Sequence, residues 1–367
     1  MRGDPIAMPL HRRVVPFVAL VVTFFVDAGG GLRAQEATAV APPSPPPTAW
    51  QVPIEGRPHA AFEYRWNPNW PAAGKAGLGS THGCLVVTRD GNVLANTDTD
   101  AAVLVFAPSG ALVRKWGEEF HGGLHGMLLR QEGDAEFLYL AHTRRHEVVK
   151  TTIDGKVLWT IGWPAASGVY ETEDQFVPTS VAVARDGRIF VADGYGKSFV
   201  HVFDAERRYV KSFGGPGSEP GKMQTPHGLW LDERGEEPRL LVCDRENHRL
   251  QWFTLDGAFV RLVDKDLRRP CNVWPFEKGL LVADLGGRIT VLDSKDQVVV
   301  HLGDNPDEAQ RASNGVPKEK WRDGVFLAPH SVCVDRDHTI YVMDWNSTGR
   351  VSRIDRVGEV QIAPRSK

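Results

Sequence analysis

The 367-residue sequence predicts an all-β fold, a six-bladed β-propeller with four-stranded antiparallel blades. Three observations predict it. A strand-rich unit recurs at roughly 40 to 50 residues, the period of propeller blades. Turn residues fall at the same places in each copy. The composition, with 37 glycines and 25 prolines, suits many short strands joined by tight turns.

The third copy spells the unit most fully. Pro178-Thr179-Ser180-Val181-Ala182-Val183 reads as a first strand, and Asp186-Gly187 as the hairpin after it. Arg188-Ile189-Phe190-Val191-Ala192-Asp193 is the second strand and ends on an aspartate. Val200 to Asp204 alternates as a third, and Tyr209 to Gly215 closes the unit on an aromatic residue and glycines. The head of this unit recurs at His82-Gly83, His125-Gly126, Pro226-His227-Gly228, Pro270-Cys271-Asn272 and Pro329-His330-Ser331. Six heads give six blades. The repeat resembles the NHL type and covers Thr81 to Pro364. One such blade cannot bury both of its faces alone; stacking the blades radially does. The first strands then line a central channel. Phe62 to Trp66 is strand-like and suited to close the ring on the last blade, with Glu359 to Ala363 competing for that outer place.

The N-terminus reads differently. His11-Arg12-Arg13 precedes an apolar run from Val14 to Val26, followed by small residues up to Ala34. This is the pattern of a secretory signal peptide cleaved after Ala34. The run is shorter than the about 20 residues a membrane-spanning helix needs. The expected organisation is a signal peptide over residues 1–34, a proline-rich linker over 35–60 and the propeller over 61–367. The folded part starts near Trp50 to Phe62, and the mature protein is expected outside the cytoplasm, secreted or periplasmic, with no membrane span. Cys84, Cys243, Cys271 and Cys333 each sit in an apolar strand-like segment, so buried free thiols are expected although the compartment permits disulfides. A net charge of -3 leaves no nucleic-acid footprint. A monomer is expected.

The six head positions hold His82, His125, Thr179, His227, Cys271 and His330. Blades two, four and six carry histidine. Alternate blades of a six-fold ring are related by three-fold rotation, so His125, His227 and His330 are expected to converge on the axis. Three imidazoles with an open position are the donor set of a catalytic zinc site. His82 and Cys271 lie outside that three-fold set. Tyr195, in Asp193-Gly194-Tyr195-Gly196, falls at a loop on the propeller face and suits general acid–base work beside a cation. Arg245, in Asp244-Arg245-Glu246-Asn247, suits two-pronged binding of a carboxylate. The aspartates that end second strands recur in most blades and read as turn caps.

Pro178-Thr179 with Asp193-Gly194-Tyr195, Pro226-His227 with Asp244-Arg245-Glu246-Asn247, and Pro329-His330 occur in the order found in peptidyl-α-hydroxyglycine α-amidating lyase. The chain resembles that family across the whole propeller. The resemblance implies zinc on His125, His227 and His330, proton transfer by Tyr195, and Arg245 in the site. It implies cleavage of a carbinolamide into an amide and glyoxylate, hence a small-molecule or peptide C-terminal substrate. Two parts of the family pattern are missing. Its blade-one arginine has no counterpart in Val93 to Asp100, and its calcium-binding aspartate after the last histidine is Ser331 here. Calcium is therefore not expected; His82 is expected to contact substrate, and together with the blade-one acids it offers a different chemistry or a second cation site. The competing reading is a non-catalytic propeller that binds a protein or glycan on its channel face.

Overall fold

The computed structural model describes Phe24–Val26, Leu32–Ala34, residues 46–71 and residues 78–363. Phe24–Val26 and Leu32–Ala34 form a two-stranded antiparallel pair within a first unit that ends at Pro45. The rest of the expected signal peptide lies outside the described residues. The second unit, from Pro46 onward, is the predicted propeller.

Five of the six blades have four antiparallel strands in simple sequence order. Blade one comprises Leu85–Val87, Val93–Asn96, Val103–Phe106 and Leu112–Trp116. The first strands of blades two to six are Leu124–Glu132, Ser180–Val183, Pro226–Asp232, Pro270–Phe276 and Pro329–Val334. Inner strands are buried on both sides, because each blade packs its two faces against its neighbours. Blades three and four, for instance, share a core of Ala182, Phe190 and Val202 with Leu229, Val242 and Phe253. Outer strands reach solvent, and Leu112, Val157, Val210 and Phe259 are exposed there.

Blade six closes the ring with chain from both ends. Its third strand, Arg350–Gln361, pairs with Ala60–Asn67, in a register that sets Ile354 against Trp66 and Glu359 against Phe62. The two segments expected to compete for the outer place are therefore partners. A fifth strand, Ala49–Pro53, pairs with Ala60–Asn67. It falls within the stretch read as linker. Trp50 and Val52 point into the core while Ala49 and Gln51 are exposed, so one face is buried, and pairing on one side only makes it the edge strand. The propeller thus begins before residue 61. All four cysteines are buried and free.

Asp193, Asp244, Asp284 and Asp344 end the second strands of blades three to six and are fully buried. Each accepts a backbone N–H from the loop that leads into its own blade's first strand: from Val177 at 2.7 Å, Gln224 at 2.7 Å, Arg268 at 3.0 Å and Ala328 at 2.7 Å. They are the caps expected from sequence, and they fix where each head begins. Buried arginines Arg249, Arg288 and Arg350 face the last three; in blade three Tyr170 donates to Asp193 at 2.5 Å instead. Asp284 also accepts from the Thr290 hydroxyl at 2.6 Å. Asp284→Ala would remove the buried carboxylate that Arg288, Thr290 and Arg268 N all donate to. A loss of about 3 kcal/mol, the lower end for breaking a buried pair, is expected in denaturant unfolding, since Arg288 keeps a bond to Asp266 at 2.8 Å.

Candidate metal centre

The first strands all start at the channel, so their head residues meet. The ring centroids of His125 and His227 are 4.6 Å apart, those of His227 and His330 4.6 Å, and those of His125 and His330 4.8 Å. The three histidines of the even blades therefore converge as their spacing predicts.

Each ring is oriented by the next blade. His125 Nδ1 lies 2.7 Å from Thr179 O, His227 Nδ1 2.9 Å from Cys271 O, and His330 Nδ1 2.8 Å from Gly83 O. A carbonyl only accepts, so the ring proton sits on Nδ1 and Nε2 keeps its lone pair. Carbonyl-held imidazoles of this kind are the usual outer support of metal ligands. The glycine after the histidine permits the contact. A Cβ on Gly126 would lie 2.5 Å from Thr179 O, and one on Gly228 2.4 Å from Cys271 O. Blade six has Ser331 instead, whose Oγ accepts from Leu85 N at 3.3 Å and ties blade six to blade one.

Tyr195 enters from the loop after the second strand of blade three. Gly194 and Gly196 let that loop pack down, since a Cβ on either would lie 2.2 Å from Pro226 O or 2.1 Å from Asp193 Oδ1. The Tyr195 hydroxyl is 3.1 Å from His125 Nε2, 3.1 Å from His227 Nε2 and 3.3 Å from His82 Nε2. It also accepts from Arg245 Nη1 at 3.2 Å. One hydroxyl proton can satisfy only one of these nitrogens. His330 Nε2 is buried with no hydrogen-bond partner at all. The cluster thus holds more lone pairs than protons, which is the chemistry of a cation site.

Electrostatics agree. Burial, reinforced by the neighbouring imidazoles and Arg245, holds His125, His227 and His330 well below the usual histidine range. They are neutral at pH 7, the form that ligates a metal. Burial pushes the Tyr195 phenol up to about 12, against the pull of Arg245. The Cys271 thiol is likewise raised to about 12 by burial.

The cluster is larger than the three-fold set. His82 lies 5.1 Å from the His125 ring and 5.0 Å from the His330 ring, and it packs on Trp345 at 5.5 Å. The donor atoms of His82, His125 and His330 lie within 4.8 Å of one another, as do those of His227, Cys271 and His330. Arg245 is positioned by the short helical turn Arg245–Asn247, with its backbone N–H donating to Thr225 O at 3.2 Å. Glu246 and Arg269, which the sequence did not single out, join it: Glu246 Oε1 accepts from Arg245 Nε at 2.8 Å and from Arg269 Nη2 at 2.6 Å. Glu246 lies inside the Asp-Arg-Glu-Asn run, and Arg269 directly precedes the blade-five head. Those positions were the available signals.

No protein-family profile matches the chain. Whole-sequence comparison does find relatives. A probable peptidyl-α-hydroxyglycine α-amidating lyase of Caenorhabditis elegans is 35% identical over 239 residues, covering 61% of this chain and 63% of that protein. Its homologues include the amidating lyases. Peptidyl-α-hydroxyglycine α-amidating lyase 2 of Drosophila melanogaster is 30% identical over 145 residues, 39% of this chain and 34% of that protein. Peptidyl-glycine α-amidating monooxygenase B of Xenopus laevis is 25% identical over 253 residues, 67% of this chain and 28% of that protein. The matches thus span less than two thirds of each relative's own length. Among solved structures, a streptogramin B lyase superposes with a TM-score of 0.54 at 11% identity, over 76% of this chain and 95% of that one. Virginiamycin B lyase of Staphylococcus aureus gives 0.50 at 13% identity, over 90% and 93%. These two likenesses concern the propeller fold alone.

Proposed function

We propose that this chain is an exported, metal-dependent lyase that cleaves a carbinolamide C–N bond, as the resemblance to the amidating lyases implies. The observation that carries the reading is the convergence of three neutral, carbonyl-oriented imidazoles on one another, with the Tyr195 hydroxyl on two of them and on Arg245. The residues present fit a divalent transition ion, zinc foremost, on His125, His227 and His330. Such an ion would supply Lewis acidity toward an α-hydroxyl.

The reaction converts R–CO–NH–CH(OH)–COO⁻ into R–CO–NH₂ and glyoxylate. The C–N bond breaks, the carbon–oxygen bond becomes a carbonyl, the hydroxyl loses its proton and the amide nitrogen gains one. Tyr195 is suited to carry that proton, because its hydroxyl lies against the imidazoles of His125 and His227 and accepts from Arg245. With a phenol near 12 it holds its proton at neutral pH, gives that proton to the departing nitrogen and is recharged by the one the α-hydroxyl loses. Arg245 holds the Tyr195 oxygen and offers the substrate carboxylate a guanidinium. His82, against His125 and His330, is placed to contact substrate.

Glyoxylate release from a peptide ending in α-hydroxyglycine is the direct assay; a metal-loaded protein inactive on it would refute this substrate. Arg245→Ala is expected to raise KM for a carboxylated substrate about tenfold or more while the metal stays bound. Steady-state kinetics with metal analysis checks this.

Export is part of the proposal and rests on the basic segment and short apolar run at the N-terminus. Among the described residues no helix is long and apolar enough to cross a membrane. The mature protein recovered from its host is expected to begin at Gln35. An intact N-terminus found in the cytoplasm would contradict this.

A further inference from the structure

The fold brings two guanidiniums onto one carboxylate at the edge of the histidine cluster. Arg245 Nε and Arg269 Nη2 lie 2.8 and 2.6 Å from the same oxygen of Glu246. Two positive charges share one negative charge, which leaves a local surplus of one. Arg245 continues inward to the Tyr195 hydroxyl at 3.2 Å, so the pair is continuous with the imidazoles. Arg269 is the outer member, its side chain 33% exposed against 13% for Arg245.

Arg269 is held in place by its backbone. It sits in the left-handed region at φ 63°, a conformation an arginine rarely adopts without support. That support is specific. Leu285 N donates to Arg269 O at 3.1 Å, and Gly286 N to Arg268 O at 3.0 Å. Arg268 N donates to the capping carboxylate of Asp284 at 3.0 Å. The Arg269 Nε is buried without a hydrogen-bond partner. That nitrogen is the buried end; the exposed third of the side chain leaves the guanidinium reachable by a second acceptor beside Glu246.

We propose that Arg269 and Arg245 together form the binding site for a substrate carboxylate, with Glu246 as the resident counter-ion that holds the two guanidiniums together. Guanidinium is the side-chain group whose planar fork matches a carboxylate. The placement sets the carboxylate beside Arg245 and leaves the carbon that bears it toward Tyr195 and the imidazoles. It also supplies from blade five a basic group that Val93 to Asp100 of blade one does not contain. The inference deepens the lyase reading and takes from it the carboxylated substrate.

The test is binding, so it does not depend on turnover. Acetylglycine and its uncharged counterpart acetylglycinamide are titrated into the full-length, metal-loaded protein by calorimetry. The unmodified protein is expected to prefer the acid. Arg269→Gln is expected to weaken acid binding about tenfold or more, as loss of a charged hydrogen bond does, with amide binding, metal content and melting temperature unchanged. Arg269→Lys should recover part of the preference, which a packing defect would not do. Equal binding of acid and amide by the unmodified protein overturns the proposal. So does an Arg269→Gln protein that keeps the preference or loses both ligands alike. A protein that discriminates the ligands through Arg269 yet releases no glyoxylate would sustain this site and refute the lyase reading. The reverse result would do the opposite.

Discussion

Tyr195→Phe is expected to keep its metal and lose turnover by a factor of about 10² to 10⁴, the range attributed to a positioned proton-transfer group. The substitution removes one oxygen and leaves the ring. That ring stacks on His82 at 6.2 Å and meets His125 edge-on at 5.0 Å, so the packing that shapes the cluster survives. The hydroxyl makes the hydrogen bonds to His82, His125, His227 and Arg245. Its loss therefore deletes the proton carrier and the acceptor of Arg245, while the three carbonyl-held imidazoles keep their orientation. Metal analysis beside single-turnover kinetics separates the two effects. A Tyr195→Phe protein with unchanged turnover would assign proton transfer elsewhere, and one that also loses metal would make Tyr195 a structural member of the cluster.

His227→Ala is the second large effect. It removes one of three converging nitrogens and the 2.9 Å bond to Cys271 O that links blades four and five. Loss of an outer-shell partner costs roughly 10–100-fold in metal affinity, and loss of a ligand should cost more. The variant is expected to be isolated without metal and to show no lyase activity. The ring should still close, because closure rests on Arg350–Gln361 against Ala60–Asn67, far from the substitution in sequence. Competitive titration with a chelating dye gives the affinity, and circular dichroism reports the fold. Retention of metal at unmodified affinity would remove His227 from the ligand set.

The fold was legible because the repeat writes its own boundaries. Each head opens with a small motif, and each second strand of blades three to six ends on the aspartate that caps the entry loop. Ring closure was half legible. Phe62 to Trp66 showed its strand pattern, but Trp50 and Val52 were hidden by the neighbouring prolines, although their alternation alone implies one buried face. The even-blade histidines could be read from symmetry. Three-fold rotation leaves His82 and Cys271 outside the set, yet all six heads open on one channel and both side chains reach the cluster. Arg269 was not legible. Its direction is set by a left-handed backbone and by a loop pinned to Asp284, neither of which periodicity shows.

The central claim is that His125, His227 and His330 hold one divalent transition metal. Its most direct test is elemental analysis of the purified full-length protein, followed by zinc titration of the chelator-stripped form. One metal per chain is expected as isolated, with one tight site on titration that is absent from His227→Ala. A folded protein with all three histidines intact that binds no metal stoichiometrically in either measurement would contradict it.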